Sequence, residues 1–216
     1  MHLSRVQINP QRRGARKLLG SSQAMHAAVL ACFPQPADER GRVLWRIDQD
    51  RGRTWLYVVS EPRPGFSSLT EQAGWPDLND TWDSRDYSGF LNRLEDGQRW
   101  AFRMTANPSH SVRIREGGET KRVGHVTVTQ QRQWFLDRAE KWGFIVAEHE
   151  GRAEVVVHDR LVERFQRQGK PVTVSKATFD GILIVNNPEA LCRTLTEGAG
   201  AAKAYGCGLL TLAPPR

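Results

Sequence analysis

The chain has 216 residues, of which 39% are hydrophobic and 25% charged, with seven Trp and eight Phe; this is globular composition, with material for one large domain or two small ones. No run approaches the roughly 18 apolar residues of a membrane-spanning helix, the first residues carry no apolar core with a cleavage site, and Cys32, Cys192 and Cys207 are too few and scattered for a disulfide framework, so a cytoplasmic protein without membrane partners is expected. Lys and Arg number 31 against 24 acids, a net charge of +7 that suggests a polyanionic partner.

In chain order, residues 2–8 alternate Leu3, Val6 and Ile8 with polar residues and stop at Asn9-Pro10, which predicts a short strand. Ser21-Ser22 cap a helix over 23–32, with Pro34 just beyond its end. Segments 43–47 and 55–59 flank Asp50-Arg51-Gly52 and predict a hairpin. Residues 61–89 are rich in Pro, Gly, Ser and Asp and are expected to be mostly loop, with one short helical piece. A strand at 98–105 ends before Asn107-Pro108.

The second half repeats the plan. Trp134, Phe135, Arg138, Ala139 and Trp142 have helical spacing within 130–142, and Gly143 is the expected C-cap. A strand follows at 144–147, then two long strands, 154–165 and 172–185, joined at Gln168-Gly169-Lys170. Asn187-Pro188 opens a helix through Leu195, and residues 206–213 close as a strand. The pattern implies an α+β protein of tandem ferredoxin-like (RRM-like) βαββαβ domains, at 1–93 and 98–216.

Charge is unevenly placed. Residues 1–37 hold Arg5, Arg12, Arg13, Arg16 and Lys17 and no acid, whereas 38–97 hold twelve acids and eight bases. Residues 160–176 carry Arg160, Arg164, Arg167, Lys170 and Lys176 against Glu163 alone. Two basic blocks interleaved with apolar residues fit a folded basic face, or simply a solvated surface.

Common catalytic templates are missing: there is no CxxC, HExxH, GxSxG or GxxxxGK[ST], and no His cluster at metal-ligand spacing, so neither metal nor cofactor is expected. The glycines of EGAGAAKAYGCGLL follow a helix and precede a strand, the reverse of the dinucleotide-binding order. Such a loop with a central Lys either brings N–H groups and a cation to phosphate or is a long flexible connection. Of six histidines, only His26, near the start of the first helix and after the basic block, sits in suggestive company.

The strand ending in Asn9-Pro10, followed by Arg12, Arg13, Arg16 and a helix with Met25-His26, resembles the CasE (Cse3) family, the CRISPR-associated endoribonucleases of the type I-E Cascade complex. Leu44-Trp45-Arg46, Phe102-Arg103 with Ala106-Asn107-Pro108, Thr120-Lys121-Arg122-Val123 and the glycine-rich run from Gly198 to Leu210 agree in order. The last is the most specific, being similar to a G-x-G-x-x-K-A-x-G-x-G-L-L signature. The resemblance implies two ferredoxin-like domains that bind the stem-loop of CRISPR repeat RNA, with other Cascade subunits as partners. It also implies metal-independent cleavage at the 3′ base of the stem by 2′-hydroxyl attack, leaving a 2′,3′-cyclic phosphate.

On this sequence the resemblance makes His26 the general acid/base, for which an imidazole suits because its pKa lies near operating pH. The family often has a Tyr three residues earlier, where this chain has Gln23. Arg16 and Lys203 are weaker candidates for stabilising charge on the phosphorane. Expected RNA contacts come from Arg12, Arg13, Arg16 and Lys17 at the N-terminus, and from Arg103, Asn107, Lys121 and Arg122 in the middle. Arg160, Arg164, Arg167, Lys170 and Lys176 would serve on a basic hairpin, with Gly200 and Lys203 in the glycine-rich loop. An A-form stem hides its bases in a deep groove, so phosphate contacts should dominate. Two alternatives stay open: a non-catalytic RNA-binding subunit of the same fold, and a small-molecule enzyme that uses the glycine-rich loop for a phosphate ligand.

Overall fold

Strand β1 (His2–Ile8) buries Ser4, Val6 and Ile8 and turns Arg5 outward, the two-residue alternation of a sheet with one covered face. The computed structural model describes residues 1–36, 38–113 and 120–215, without the side chains of Thr120 and Lys121. After β1 comes helix α1 (Arg13–Leu19), which the sequence pattern does not predict: its basic residues mask an apolar stripe of only Ala15, Leu18 and Leu19. Helix α2 (Ser22–Leu30) starts where expected, with the Ser21 hydroxyl accepting from the Ala24 amide at 3.2 Å.

Strands β2 (Leu44–Asp50) and β3 (Arg53–Ser60) form the expected hairpin, closed at the Asp50–Arg53 pair. Residues 61–89 contain helix α3 (Ser67–Ala73), and then a strand where loop was expected, β4 (Trp82–Asp86), before the short helix α4 (Ser88–Leu91). β4 reads Trp-Asp-Ser-Arg-Asp and none of its side chains is buried, so no hydrophobic alternation marks it. It pairs antiparallel with β1 at one edge, and the sheet order is β2-β3-β1-β4. Helices α1, α2 and α3 supply Leu18, Met25, Val29 and Leu69 to a core with Val6, Ile8, Leu56, Val58 and Phe66.

The second half begins with β5 (Arg99–Ala106), then an unanticipated hairpin of β6 (Ser109–Arg113) and β7 (Thr120–Gly124). Helix α5 (Val128–Ala139) opens with a capping box between Thr127 and Gln130 and passes into a 3₁₀ turn that ends at Gly143, φ 92°. Short strands β8 (Phe144–Val146), β9 (Glu148–His149) and β10 (Arg152–Ala153) lead to the long hairpin of β11 (Val155–Arg167) and β12 (Lys170–Val185). Helix α6 (Pro188–Glu197) is capped by the Asn187 side chain, 2.9 Å from the Ala190 amide. The last strand, β13 (Leu210–Ala213), pairs with β5, giving the order β11-β12-β5-β13, with β8 also on β12. An aromatic core holds this half, with Phe135 stacked on Phe179 at 4.6 Å and on Phe102 at 5.3 Å.

Both halves are βαββαβ units with a four-strand antiparallel order of second, third, first, fourth, so the fold is tandem ferredoxin-like. The chain divides into one unit of Met1–Arg93 with Thr196–Gly198 and Lys203–Leu209, and another of Leu94–Leu195 with Ala199–Ala202 and Leu210–Arg216. The expected strand at 206–213 is shorter: Gly206 (φ 79°) and Gly208 (φ 87°) break the extended path, and Lys203–Tyr205 is a 3₁₀ turn. That part of the glycine-rich run, assigned by sequence to the second domain, packs in the first unit.

Candidate active site and nucleic-acid interface

In the first unit, His26 lies one turn into α2, and its half-buried ring is held by Trp45 of β2, whose indole N–H donates to Nδ1 at 3.4 Å. An Nδ1 that accepts cannot carry the ring proton, so the neutral imidazole is protonated on Nε2. Trp45 is buried, and on one side it meets Gly206: a Cβ there would stand 2.7 Å from the indole.

The neighbours of Trp45 do the same work. A Cβ on Gly198 would lie 2.6 Å from the Leu44 side chain. Arg46, 2% exposed, forks onto Asp48 at 2.6 and 2.8 Å and donates to the Leu209 carbonyl at 2.8 Å. Leu44-Trp45-Arg46 is thus the seat of the glycine-rich run, whose turn at Lys203–Tyr205 packs on α2 and β2. The sequence singles out both segments without joining them, because residues so distant in the chain leave no periodic trace of their meeting.

Gln23 is exposed one turn before His26, on the same side of α2. Arg13, Arg16 and Lys17 are exposed on α1, which packs against α2, while Arg12 is partly covered and donates to the Gly74 carbonyl at 3.3 Å. Lys203 Nζ donates to the Glu197 carbonyl at 2.7 Å. Partial burial, and then the charge of Arg42, pull its pKa below the ordinary lysine value.

In the second unit, Arg164, Arg167 and Lys170 are exposed around the tip of the β11–β12 hairpin, where Gln168 (φ 50°) and Gly169 (φ 74°) make a tight turn. Two residues expected to touch RNA also brace the hairpin: Lys176 pairs with Glu163 at 2.9 Å, and Arg160, exposed, donates to Gln131 at 2.9 Å and to the Val126 carbonyl, anchoring β11 to α5. Arg103, also expected to touch RNA, is half-buried in an ion pair. It forks onto Asp180 at 2.7 and 2.5 Å, bracing β5 against β12, and His158 approaches the same carboxylate at 3.2 Å. Asn107 is mostly buried at the end of β5 and borders the cavity described below.

Arg122 is exposed and, with Asn107, His110, Trp134, Arg138 and Gly200, borders a cavity of about 560 Å³. Arg138 lies 4.7 Å over the Trp134 ring. The side chain of Lys121 lies outside the described residues. Among the described residues, no group of three or more His, Cys, Asp or Glu side chains has the placement of a metal site.

A protein-family model described as "CRISPR associated protein" matches residues 1–214. The chain is 32% identical to CRISPR-associated endoribonuclease Cse3 of Thermus thermophilus, over 99% of this chain and all of that protein. It is 30% identical to CRISPR system Cascade subunit CasE of Escherichia coli, over 56% of this chain and 61% of that protein. The solved structure of Thermus thermophilus Cse3 bound to an RNA representing a pre-cleavage complex superposes with a TM-score of 0.79, at 30% identity, covering 99% of this chain and 98% of the other.

Proposed function

The chain belongs to the CRISPR associated protein family, and from that premise we propose that it is the endoribonuclease that processes CRISPR repeat RNA, working in the cytoplasm with other Cascade subunits. The observation that carries the reading is His26: a helix-borne imidazole held at Nδ1 by Trp45, on a helix against which the glycine-rich turn packs, in a chain alike over its full length to an endoribonuclease. The ribose 2′-hydroxyl attacks the adjacent phosphate, the 5′-oxygen leaves, and the product is a 2′,3′-cyclic phosphate. No water or metal-bound hydroxide is needed as nucleophile.

His26 moves the proton through Nε2, because Trp45 occupies Nδ1. The exposed cations of α1 and of the hairpin tip hold the RNA backbone, which fixes register without reading sequence. Incubation of the purified protein with a repeat stem-loop in excess EDTA tests this reading. One cut at the 3′ base of the stem is expected; RNA that shifts without shortening would mark a non-catalytic binder, and activity lost in EDTA and restored by magnesium would end the metal-free route.

A further inference from the structure

Gly41 and Arg42 lead into β2, and Lys203 opens the turn that packs on β2 and α2. Between them lies an open cavity of about 370 Å³ lined by Gly41, Arg42, Glu197 and Lys203. Arg42 is exposed and forms no ion pair with another described residue, unlike Arg46, Arg103 and Lys176. Lys203 feels its charge, so two cations share a site with the carboxylate of Glu197, while that of Glu61 stands beside Gly41. Bringing like charges together around a partly desolvated ammonium costs energy that a bound anion returns.

The donor chemistry specifies the anion. Lys203 spends one N–H on the Glu197 carbonyl and retains two, while the Arg42 guanidinium offers a planar fork suited to phosphate oxygens. The place is specified too. Trp45, which holds His26, is three residues after Arg42, at most about 10 Å of extended chain. We infer that Arg42, with Lys203, forms a phosphate-binding pair that holds the scissile phosphodiester of the RNA beside His26. This rests on the endoribonuclease reading above.

The test is a cycle of affinities on a stem-loop made uncleavable by one 2′-deoxyribose, carrying either the normal phosphodiester or an uncharged methylphosphonate at the scissile linkage. Arg42→Gln should weaken binding of the normal linkage roughly 10- to 100-fold, change binding of the methylphosphonate little, and lower the salt slope by about 0.7. Arg42→Lys should recover part of the loss. Arg53→Gln, which removes the same charge from an exposed position on β3, should show no coupling to the linkage. Equal effects of Arg42→Gln on both linkages, or none on either, would overturn the pair. If that happens while the wild-type protein still cuts an all-ribose stem-loop, the pair alone falls. If the wild-type protein neither binds nor cuts it, the endoribonuclease reading falls and the pair with it.

Discussion

At the scale of single residues, the proposed chemistry rests on His26 and on the indole of Trp45 that holds it. His26→Ala should lose on the order of 10² to 10⁴ in the single-turnover cleavage rate, with affinity for an uncleavable stem-loop nearly unchanged, because the proposed phosphate contacts are assigned to Arg and Lys elsewhere. Cutting at the wild-type rate would remove His26 from the mechanism. Trp45→Phe keeps a ring against Gly206 but removes the N–H that fixes the tautomer, so cleavage should slow less than in His26→Ala, again without loss of binding. Arg46 has a different task. Its removal takes the guanidinium fork from a carboxylate that is only 9% exposed, so Arg46→Met should destabilise the protein by about 3–5 kcal/mol in denaturant unfolding, and an unchanged midpoint would show that the pair contributes nothing. His26 was legible in the sequence through its company, whereas Trp45 as its partner was not. Nothing in a sequence says that an indole on the second strand will face an imidazole on the second helix.

At the scale of elements, the long hairpin was the most legible feature: two alternating strands around Gln168-Gly169, with the charge concentrated near the turn. Replacing Arg164, Arg167 and Lys170 with Ala should weaken stem-loop binding and lower the salt slope by about 0.7 to 0.9 for each phosphate left unneutralised; an unchanged slope would reduce the hairpin tip to a solvated surface. Which cations brace neighbouring elements was not legible, because Arg103 on β5 and Arg160 and Lys176 on the hairpin look like any others in sequence and are told apart by acceptors across strands or on α5.

The Arg103–Asp180 brace carries a pH signature. Burial pushes the Asp180 carboxyl up, but hydrogen bonding and charge from Arg103, with a further contribution from His158, more than offset it and hold the pKa below the ordinary 3.8. A depressed carboxylate stabilises the fold above its unfolded pKa, and that stabilisation is lost as pH falls through the folded value. Asp180→Asn should therefore flatten the acid limb of the stability profile, and an identical limb would contradict the brace. The elements that the sequence hides share a cause. α1 presents mostly cations, and β4 is an edge strand with no buried side chain, so neither shows the apolar rhythm that reveals α2 or β1.

At the scale of the whole molecule, the tandem ferredoxin-like plan could be read from element order because both halves run strand, helix, hairpin, helix, although the closing strand of the first half, β4, reads as loop. The return of Lys203–Leu209 to the first unit could not, since it depends on Gly198 and Gly206 fitting against Leu44 and Trp45. That return places the glycine-rich turn on the His26 helix, and it makes the end of the chain part of the candidate active site near its beginning. The central claim is that this assembly cleaves RNA through the substrate's own ribose. The most direct measurement compares single-turnover cleavage of a repeat stem-loop with that of the same RNA carrying one 2′-deoxyribose on the 5′ side of the cut, both in EDTA and at equal bound fraction. One cut is expected in the all-ribose RNA, with a 2′,3′-cyclic phosphate and a 5′-hydroxyl at the new ends, and none in the deoxy-substituted RNA. Cleavage of both at the same rate would contradict that claim.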